Sequence, residues 1–245
     1  MDKSATTVIG SSLVVVVLFL YFSLTIEKEQ ENYTNSVLHP IEIFAQEEND
    51  SPVVKNAKII EFTGINYTDV VNSLDISPNS FTVSVWFNTA MNVTGEIGNA
   101  YLLNKGGFGS DRPGFNLNYG IWLNNREKVS GGFETPNGDD FFVTSQGSYA
   151  DGVWHNTVLT FDDGPNLLKL YIDGVEVATT TIPKRGTTPD NTGKQPIRLG
   201  ANSLVEKGII NGNYTGQLND IQVWDYAFTK EQVANLFNIE SNIPR

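Results

Sequence analysis

The sequence predicts an all-β fold built from antiparallel strands. Short runs with an apolar residue at every second position recur along the chain, and Gly, Asn, Asp and Pro separate them. This is the pattern of half-buried strands joined by turns. The strongest hairpin signature is Asp173-Gly174, which lies between LKLYI and VEVATTTI. The 245 residues contain no cysteine, so a packed core must hold the fold without disulfides or thiolate metal sites.

Seven runs show the strand pattern most clearly. They are KIIEF from Lys58, FTVSVWF from Phe81, GFNLNYGIWL from Gly114, WHNTVLTF from Trp154, LLKLYI from Leu167, PIRLG from Pro196 and LNDIQVW from Leu218. One helix is predicted after the last run, because Thr229 and Gln232 form a capping box. Val233, Leu236 and Phe237 then share one face, so we expect this helix to lie against a β-sandwich.

The N-terminal segment predicts a membrane anchor at residues 1–26. Thr6 to Ile26 carries no charge and is long enough to cross a hydrocarbon core as a helix. A cleaved signal peptide is the alternative, but no convincing cleavage site follows Ile26. Lys3 precedes the apolar run and acidic residues follow it. This predicts a single-pass protein of the cell membrane, with its N-terminus on the inner side and its C-terminal part extracellular.

Two further regions follow the predicted anchor. Residues 27–55 are rich in acids and contain only one short apolar patch, which is typical of a solvated stalk. Residues 56–245 carry all seven strand-like runs and are expected to form one domain. The formal net charge of -12 argues against nucleic acid as a partner.

The stretch GQLNDIQVWDY, residues 216–226, has three possible interpretations: a propeller blade, a metal site or an ordinary strand. A propeller is excluded, because Trp224-Asp225 occurs once with no internal repeat around it. Even alternation divides the strand into two faces, one with Leu218, Asp220, Gln222 and Trp224 and the other with Asn219, Ile221 and Val223. Asp220 then lies near the loop, where either a metal or a turn hydrogen bond suits it.

Four segments resemble a known family in the expected order. YTGQLNDIQVWDYAFTKEQVANLF resembles the closing segment of laminin G-like and pentraxin domains, which are concanavalin A-like jelly rolls. FTVSVWFNT resembles the early core strand of this family, DGVWHNTVLTFDD its Trp-His strand and LLKLYIDGVEV its hairpin with the Asp-Gly turn. The resemblance spans about Asn56 to Phe237 and implies a two-sheet antiparallel jelly-roll sandwich.

The resemblance also implies a ligand and a metal. Domains of this family often bind carbohydrate or another surface molecule, and often hold a structural calcium at the rim. Calcium takes several oxygen ligands, and the matching positions here are Asp220 and Asn219, where Asn219 replaces a common second acid. The usual Phe-Asp-Gly of the first strand is Phe62-Thr63-Gly64 here. The remaining interpretation of Asp220 is a turn cap.

Catalytic patterns are mostly absent from the sequence, so we expect no enzyme. A jelly-roll glycosidase needs two carboxylates that flank the scissile bond, usually at alternating positions of one strand so that both face the cleft. The chain has no E-x-D-x-E run, and its only E-x-D is in the stalk. The adjacent pairs Asp139-Asp140 and Asp162-Asp163 do not suit this role. Of the two histidines, His39 falls in the stalk and His155 fits the structural strand of the family.

A shallow sugar site is predicted around Tyr119, Asn124, Asn125 and Tyr149. Sugars are held by planar aromatic faces and a few amide or carboxylate hydrogen bonds, and these residues supply both. Trp86, Trp154 and Trp122 are instead expected in the core. Asn32, Asn66, Asn92 and Asn213 stand in N-glycosylation sequons, which permit glycosylation without demonstrating it.

Two functions from different classes remain. The first is a membrane-tethered lectin-like module that recognises a glycan or glycoprotein outside the cell, either with or without calcium. The second is a structural surface or pilin-like filament subunit, in which Thr6 to Ile26 packs with copies of itself and the sandwich is the exposed head. Enzymatic activity ranks third.

Overall fold

The computed structural model describes residues 51–52, 54–70, 80–93, 98–109, 112–183, 187–191, 193, 195–204 and 209–245. The predicted anchor at residues 1–26 and nearly all of the predicted stalk lie outside this part of the chain. Within the described ranges, no helix is long and apolar enough to cross a membrane.

Fifteen strands and one helix make up the described part of the chain. The first eight strands are β1 (Val54–Asn56), β2 (Ile60–Thr63), β3 (Thr68–Val70), β4 (Phe81–Asn88), β5 (Asn99–Lys105), β6 (Tyr119–Asn124), β7 (Lys128–Glu134) and β8 (Asp140–Ser148). The others are β9 (Trp154–Asp162), β10 (Leu167–Ile172), β11 (Val175–Thr181), β12 (Ile197–Leu199), β13 (Asn202–Leu204), β14 (Ile209–Asn211) and β15 (Thr215–Trp224). Helix α1 spans Lys230–Glu240.

Two antiparallel sheets pack face to face, which confirms the predicted all-β sandwich. The first has seven strands in the order β1-β15-β4-β9-β10-β11, with β2 pairing beside β1 on the same edge of β15. The second has six strands in the order β3-β12-β5-β6-β7-β8, and β13 and β14 form a separate two-stranded sheet. The Asp173-Gly174 turn joins β10 and β11 as predicted, with positive φ angles of 51° and 76°.

The main core lies between the two sheets. Alternate residues of facing strands fill it, among them Phe81, Val83 and Phe161 from the seven-stranded sheet and Ile121 and Phe133 from the six-stranded sheet. Each of these side chains is almost completely buried, and burying such a side chain stabilises the fold by about 1.5–3 kcal/mol.

Helix α1 covers the outer face of the seven-stranded sheet. The predicted capping box is present, since Thr229 Oγ1 accepts from Gln232 N and Gln232 Oε1 accepts from Thr229 N. Val233 packs with Val158 and Tyr171 of the sheet, and Phe237 stacks on Trp86 with ring centroids 5.7 Å apart.

The predicted core positions of the tryptophans need correction. Trp86 is buried, but it lies beneath α1 rather than between the sheets. Trp154, at the first position of β9, is only half-buried and belongs to neither the main core nor the helix-covered cluster.

The predicted even alternation along β15 is wrong. A β-bulge places one extra residue between the pairs Asn219–Trp86 and Gln222–Ser84, and Asp220 adopts a positive φ of 46° there. A bulge shifts the side chains that follow it to the opposite face. Leu218 therefore shares the core with Ile221 and Val223, whereas Asn219, Asp220 and Gln222 lie together on the outer side near α1.

Candidate functional site

The structure brings three of the four predicted sugar-binding residues to one end of the six-stranded sheet. Asn124 closes the turn between β6 and β7, where its Oδ1 accepts from the backbone N–H groups of Arg126 and Lys128. Asn125 is exposed on the same turn. Tyr149 is joined to it, because its backbone N–H donates to Glu127 O over 3.0 Å.

Tyr119 does not belong with these residues. It begins β6 and Asn124 ends it, so the two lie about 16 Å apart at roughly 3.3 Å per residue. Its side chain is fully buried in the main core and packs against Phe81 with ring centroids 5.7 Å apart. The residues on the core face of β6 alternate from Tyr119, which excludes this residue from a surface site.

Tyr149 lies beside a histidine that is held between two carboxylates. The ring of Tyr149 contacts His155 edge-on at 5.1 Å. His155 Nδ1 is hydrogen-bonded to Asp173 Oδ2 at 2.7 Å, and its Nε2 to Asp151 Oδ1 at 3.2 Å. The hydrogen bond to the Asp173 carboxylate raises the pKa of His155 above its ordinary value, against the opposing effect of burial, and Asp151 adds to the rise. The hydrogen bond between Asp173 and His155 links the turn between β10 and β11 to the start of β9.

Aromatic side chains line the outer face of the six-stranded sheet. Trp122 projects away from the main core and packs with Tyr101, Leu117 and Phe108. It is only 4% exposed, so it supports neighbouring rings rather than standing free. The next ring is Phe142 of edge strand β8, 6.3 Å from Trp122 and 52% exposed.

Polar groups border the exposed ring. Ser130 lies opposite Trp122 and Thr144 opposite Ser130, and the two hydroxyls are 2.8 Å apart. Asp140 stands two residues before Phe142 on β8 and is exposed. We call the cluster of Trp122, Ser130, Asp140, Phe142 and Thr144 the outer patch, in which Asp140 and Phe142 are exposed, Thr144 is half-buried, and Trp122 and Ser130 lie buried beneath them.

A glycine keeps the outer patch shallow. Gly132 lies opposite Phe142 in the β7–β8 register. A Cβ atom at this position would come within 2.7 Å of Phe142 Cβ and 2.1 Å of Phe141 O. Only glycine fits there, and no side chain stands between Phe142 and β7 at that point.

A buried carboxylate anchors the loop beside the outer patch. Glu134 is fully buried, and its two oxygens accept from Gly109 N at 3.0 Å and Leu117 N at 2.7 Å. Burial raises the pKa of Glu134 from 4.5 to about 7, and hydrogen bonding to Asp140 contributes. Because Glu134 has no exposed surface and holds two backbone N–H groups of the loop, it fixes the loop rather than meeting a surface ligand.

The predicted calcium ligands do not fit a calcium ion. The bulge directs Asp220 toward Arg245, whose Nη2 donates to Asp220 Oδ2 over 2.8 Å, and both side chains are buried. Asn219 Nδ2 donates to the same carboxylate over 3.1 Å. A guanidinium therefore already supplies the positive charge that calcium would bring. Among the described residues, no group of three or more His, Asp or Glu side chains could hold a metal ion.

The sequon asparagines differ in their surroundings. Asn92 is exposed. Asn66 is exposed as well, but its side chain closes a turn with Thr63 and Glu61. Asn213 is half-buried and its Nδ2 donates to Gly64 O. Asn32 lies outside the described residues, as does His39.

Phe142 is the main residue of the outer patch that the sequence prediction missed. The run FFVTS alternates, with Phe141 and Val143 against the main core and Phe142 and Thr144 on the other side. An aromatic residue on the polar side of an alternating strand was therefore the available signal.

Comparison with known proteins agrees with this architecture. The Laminin_G_3 family, described as the Concanavalin A-like lectin/glucanases superfamily, matches residues 62–234. No curated protein matches the chain in sequence.

Several solved structures share the fold at low sequence identity. The Ruminococcus gnavus IT-sialidase CBM40 bound to α2,3 sialyllactose is 15% identical, with a TM-score of 0.61 over 76% of this chain and 100% of its own. A heptameric SAP-like pentraxin from Limulus polyphemus is 16% identical, with a TM-score of 0.57 over 78% of this chain and 85% of its own. The NanB sialidase of Streptococcus pneumoniae is 18% identical, with a TM-score of 0.60 over 79% of this chain but only 28% of its own. With one family pattern covering most of the sandwich, the chain belongs to the Concanavalin A-like lectin/glucanases superfamily, as a lectin-type domain of the Laminin_G_3 family.

Proposed function

We propose that this protein is a membrane-tethered extracellular binding module that recognises carbohydrate, free or on a glycoprotein, through the outer patch. The lectin-type fold supports the ligand class. The sequence of residues 1–26 supports the tether and the display outside the cell. The role is binding rather than catalysis.

The observation that carries the proposal is the exposed ring of Phe142. An exposed aromatic ring offers a planar apolar face, and carbohydrate sites combine such a face with a few polar groups. Here Trp122 supports the ring from one side, and Thr144 and Asp140 place a hydroxyl and a carboxylate beside it, while the buried Ser130 holds the hydroxyl of Thr144. A sugar ring can stack on Phe142 while its hydroxyls bond to these groups.

The solved neighbours favour a glycan over other surface ligands. The CBM40 domain of similar fold is bound to α2,3 and to α2,6 sialyllactose in its structures. For this chain we propose the broader class, a glycan presented at a surface.

Calcium dependence is a separate part of the proposal. The family resemblance implies calcium, but Asp220 and Asn219 do not fit it. We therefore expect glycan binding through Phe142 to persist in chelator.

A glycan array with residues 51–245, which form one compact unit, tests the proposal. The wild-type unit is compared with Phe142→Ala, in calcium and in chelator. Val175→Ala is the matched control, because Val175 is an exposed apolar side chain on the other sheet, at 63% against 52% for Phe142. We expect Phe142→Ala to weaken binding at least about tenfold, which corresponds to about 1.4 kcal/mol, and Val175→Ala to leave it unchanged.

Each other outcome has a defined meaning. Glycan binding that survives Phe142→Ala would place the site elsewhere, with the turn carrying Asn124, Asn125 and Tyr149 as the next region to change. Binding lost in chelator would contradict the calcium-independent mechanism. An array with no bound glycan would contradict carbohydrate recognition and favour the filament subunit, whose defining segment, residues 6–26, lies outside the described part of the chain.

A further inference from the structure

A cavity of about 400 Å³ lies on the opposite side of the molecule from the outer patch. It is bounded by β15, by Ala57 and Ile59 between β1 and β2, and by the end of α1 with the residues that follow this helix. None of its lining residues belongs to the outer patch, so its function does not depend on the glycan proposal.

The polarity of this cavity is the reverse of an ordinary protein surface. Its buried lining residues are polar, namely Asn219, Asp220, Gln222 and Glu240, each 4–6% exposed. Its exposed lining residues include three isoleucines, Ile59, Ile239 and Ile243, at 48%, 68% and 48%. Buried polar groups beneath exposed apolar side chains are the uncommon arrangement that calls for an explanation. A ligand with a polar end inside and an apolar body outside satisfies both.

The buried end of the cavity has a surplus of negative charge. Asp220 and Glu240 are both carboxylates, and Arg245 is the one buried cation near them among the described residues. Arg245 pairs with Asp220, while Glu240 accepts from neutral donors, Trp86 Nε1 at 2.6 Å and Gln222 Nε2. The remaining charged group of the lining, Lys55, is exposed to water, where its charge is screened.

One buried acceptor lacks a partner. Asn219 is 5% exposed, and its Oδ1 has no hydrogen-bond partner among the described residues. The amide cannot be turned around, because its Nδ2 donates to Asp220 Oδ2 and an ionised carboxylate only accepts. An unsatisfied buried oxygen is costly, so this atom points to a ligand that donates a hydrogen bond.

We propose that this cavity binds a small primary amine with an apolar body, its ammonium group donating to Asn219 Oδ1 and to the Glu240 carboxylate. An ammonium has three donors and one positive charge, which matches an unpaired acceptor and two buried carboxylates, Asp220 and Glu240, that share Arg245, the single buried cation described near them. The apolar body lies against the exposed isoleucines. Burial raises the pKa of Glu240, and a bound cation would lower it again.

Three ligands of nearly equal shape test the charge that the cavity selects. The full chain is titrated with isoamylamine, isoamyl alcohol and isovalerate by calorimetry, with the indole N–H of Trp86 followed by NMR as a reporter beside Glu240. We expect isoamylamine to bind at least about tenfold more tightly than the alcohol, isovalerate not to bind, and the Trp86 signal to shift with the amine alone. Equal affinities, a preference for the acid, or no binding of the amine would each overturn the proposal.

Variants separate the polar end from the apolar body. Glu240→Gln keeps an acceptor for Trp86 but removes the charge, so it should abolish the preference for the amine over the alcohol. Asn219→Ala should weaken amine binding about tenfold. Ile239→Ser is a surface change and should weaken binding of the amine without altering the fold, whereas Ile65→Ser, which is more exposed and outside the cavity, is the control. Amine binding that is unchanged in both Glu240→Gln and Ile239→Ser would contradict the assignment even if Asn219→Ala failed to fold.

Discussion

At the scale of single residues, Asp220 shows how the φ angle of one residue determines which group its side chain contacts. Its positive φ marks the bulge that turns it toward Arg245, and aspartate tolerates this conformation better than most residues. The family resemblance implied a metal ligand here, and the even alternation of the sequence suited either a metal or a turn hydrogen bond. The spacing of the apolar residues Leu218, Ile221 and Val223, three and then two, was the sequence signal of the bulge.

The buried pair of Asp220 and Arg245 gives the first prediction. Asp220→Asn keeps the shape and the backbone preference but leaves the guanidinium of Arg245 without its counter-charge. We expect a loss of about 2 kcal/mol in the free energy of unfolding, measured in urea. Arg245→Gln should cost less when combined with Asp220→Asn than when made alone. Additive losses in this double-mutant cycle would show that the two side chains do not interact.

His155 gives the second prediction, which concerns pH. Because Asp173 and Asp151 raise the pKa of His155 in the folded state, its interaction stabilises the fold fully below the ordinary value of 6.5 and is lost as pH rises through the raised pKa. The stability difference between wild type and His155→Gln should therefore be largest at about pH 5 and shrink toward about pH 9. Denaturant unfolding at a series of pH values measures it. A difference that does not change with pH would mean that His155 contributes by packing alone.

At the scale of elements, the sequence predicted those whose signals are local. The capping box and the apolar spacing of α1 lie within a few residues of each other, and the alternation of β4, β9 and β10 is unbroken, so these were found. Strand β5 was missed because its bulge places Leu102 and Leu103 together in the core. Strand β7 was missed because Gly131-Gly132 in a sequence suggests a turn, although β8 packs too closely there for any side chain.

The N-terminal cap of α1 gives the third prediction. Thr229→Ala removes the oxygen that accepts from Gln232 N, and we expect a loss of about 1 kcal/mol in the free energy of unfolding. Thr229→Ser retains the oxygen and should stay close to wild type. Thermal or urea unfolding of the two variants provides the comparison. Equal losses in both would attribute the effect to the methyl group rather than to the cap.

At the scale of the whole molecule, the two outer faces differ in chemistry. Helix α1 covers the outer face of the seven-stranded sheet, whereas the outer face of the six-stranded sheet carries the exposed ring of Phe142. The sequence suggested a sugar site near Asn124 and Tyr149, and these do meet at one end. Tyr119 could not be placed from sequence, because the face it occupies depends on the register of β6 with its neighbours.

The charge of the chain gives the fourth prediction, which rests on the proposed glycan site. The formal net charge is -12, and Asp140 is part of the outer patch, so an anionic glycan is repelled at long range and near the site. We expect a neutral glycan to bind more tightly than its sialylated counterpart at low salt, and the difference to shrink as salt rises from about 0.02 M to about 0.5 M, because the Debye length falls. Asp140→Asn should reduce the same difference at low salt. Tighter binding of the sialylated member at low salt would show that local contacts outweigh the field of the whole molecule, as a dedicated sialic acid site requires.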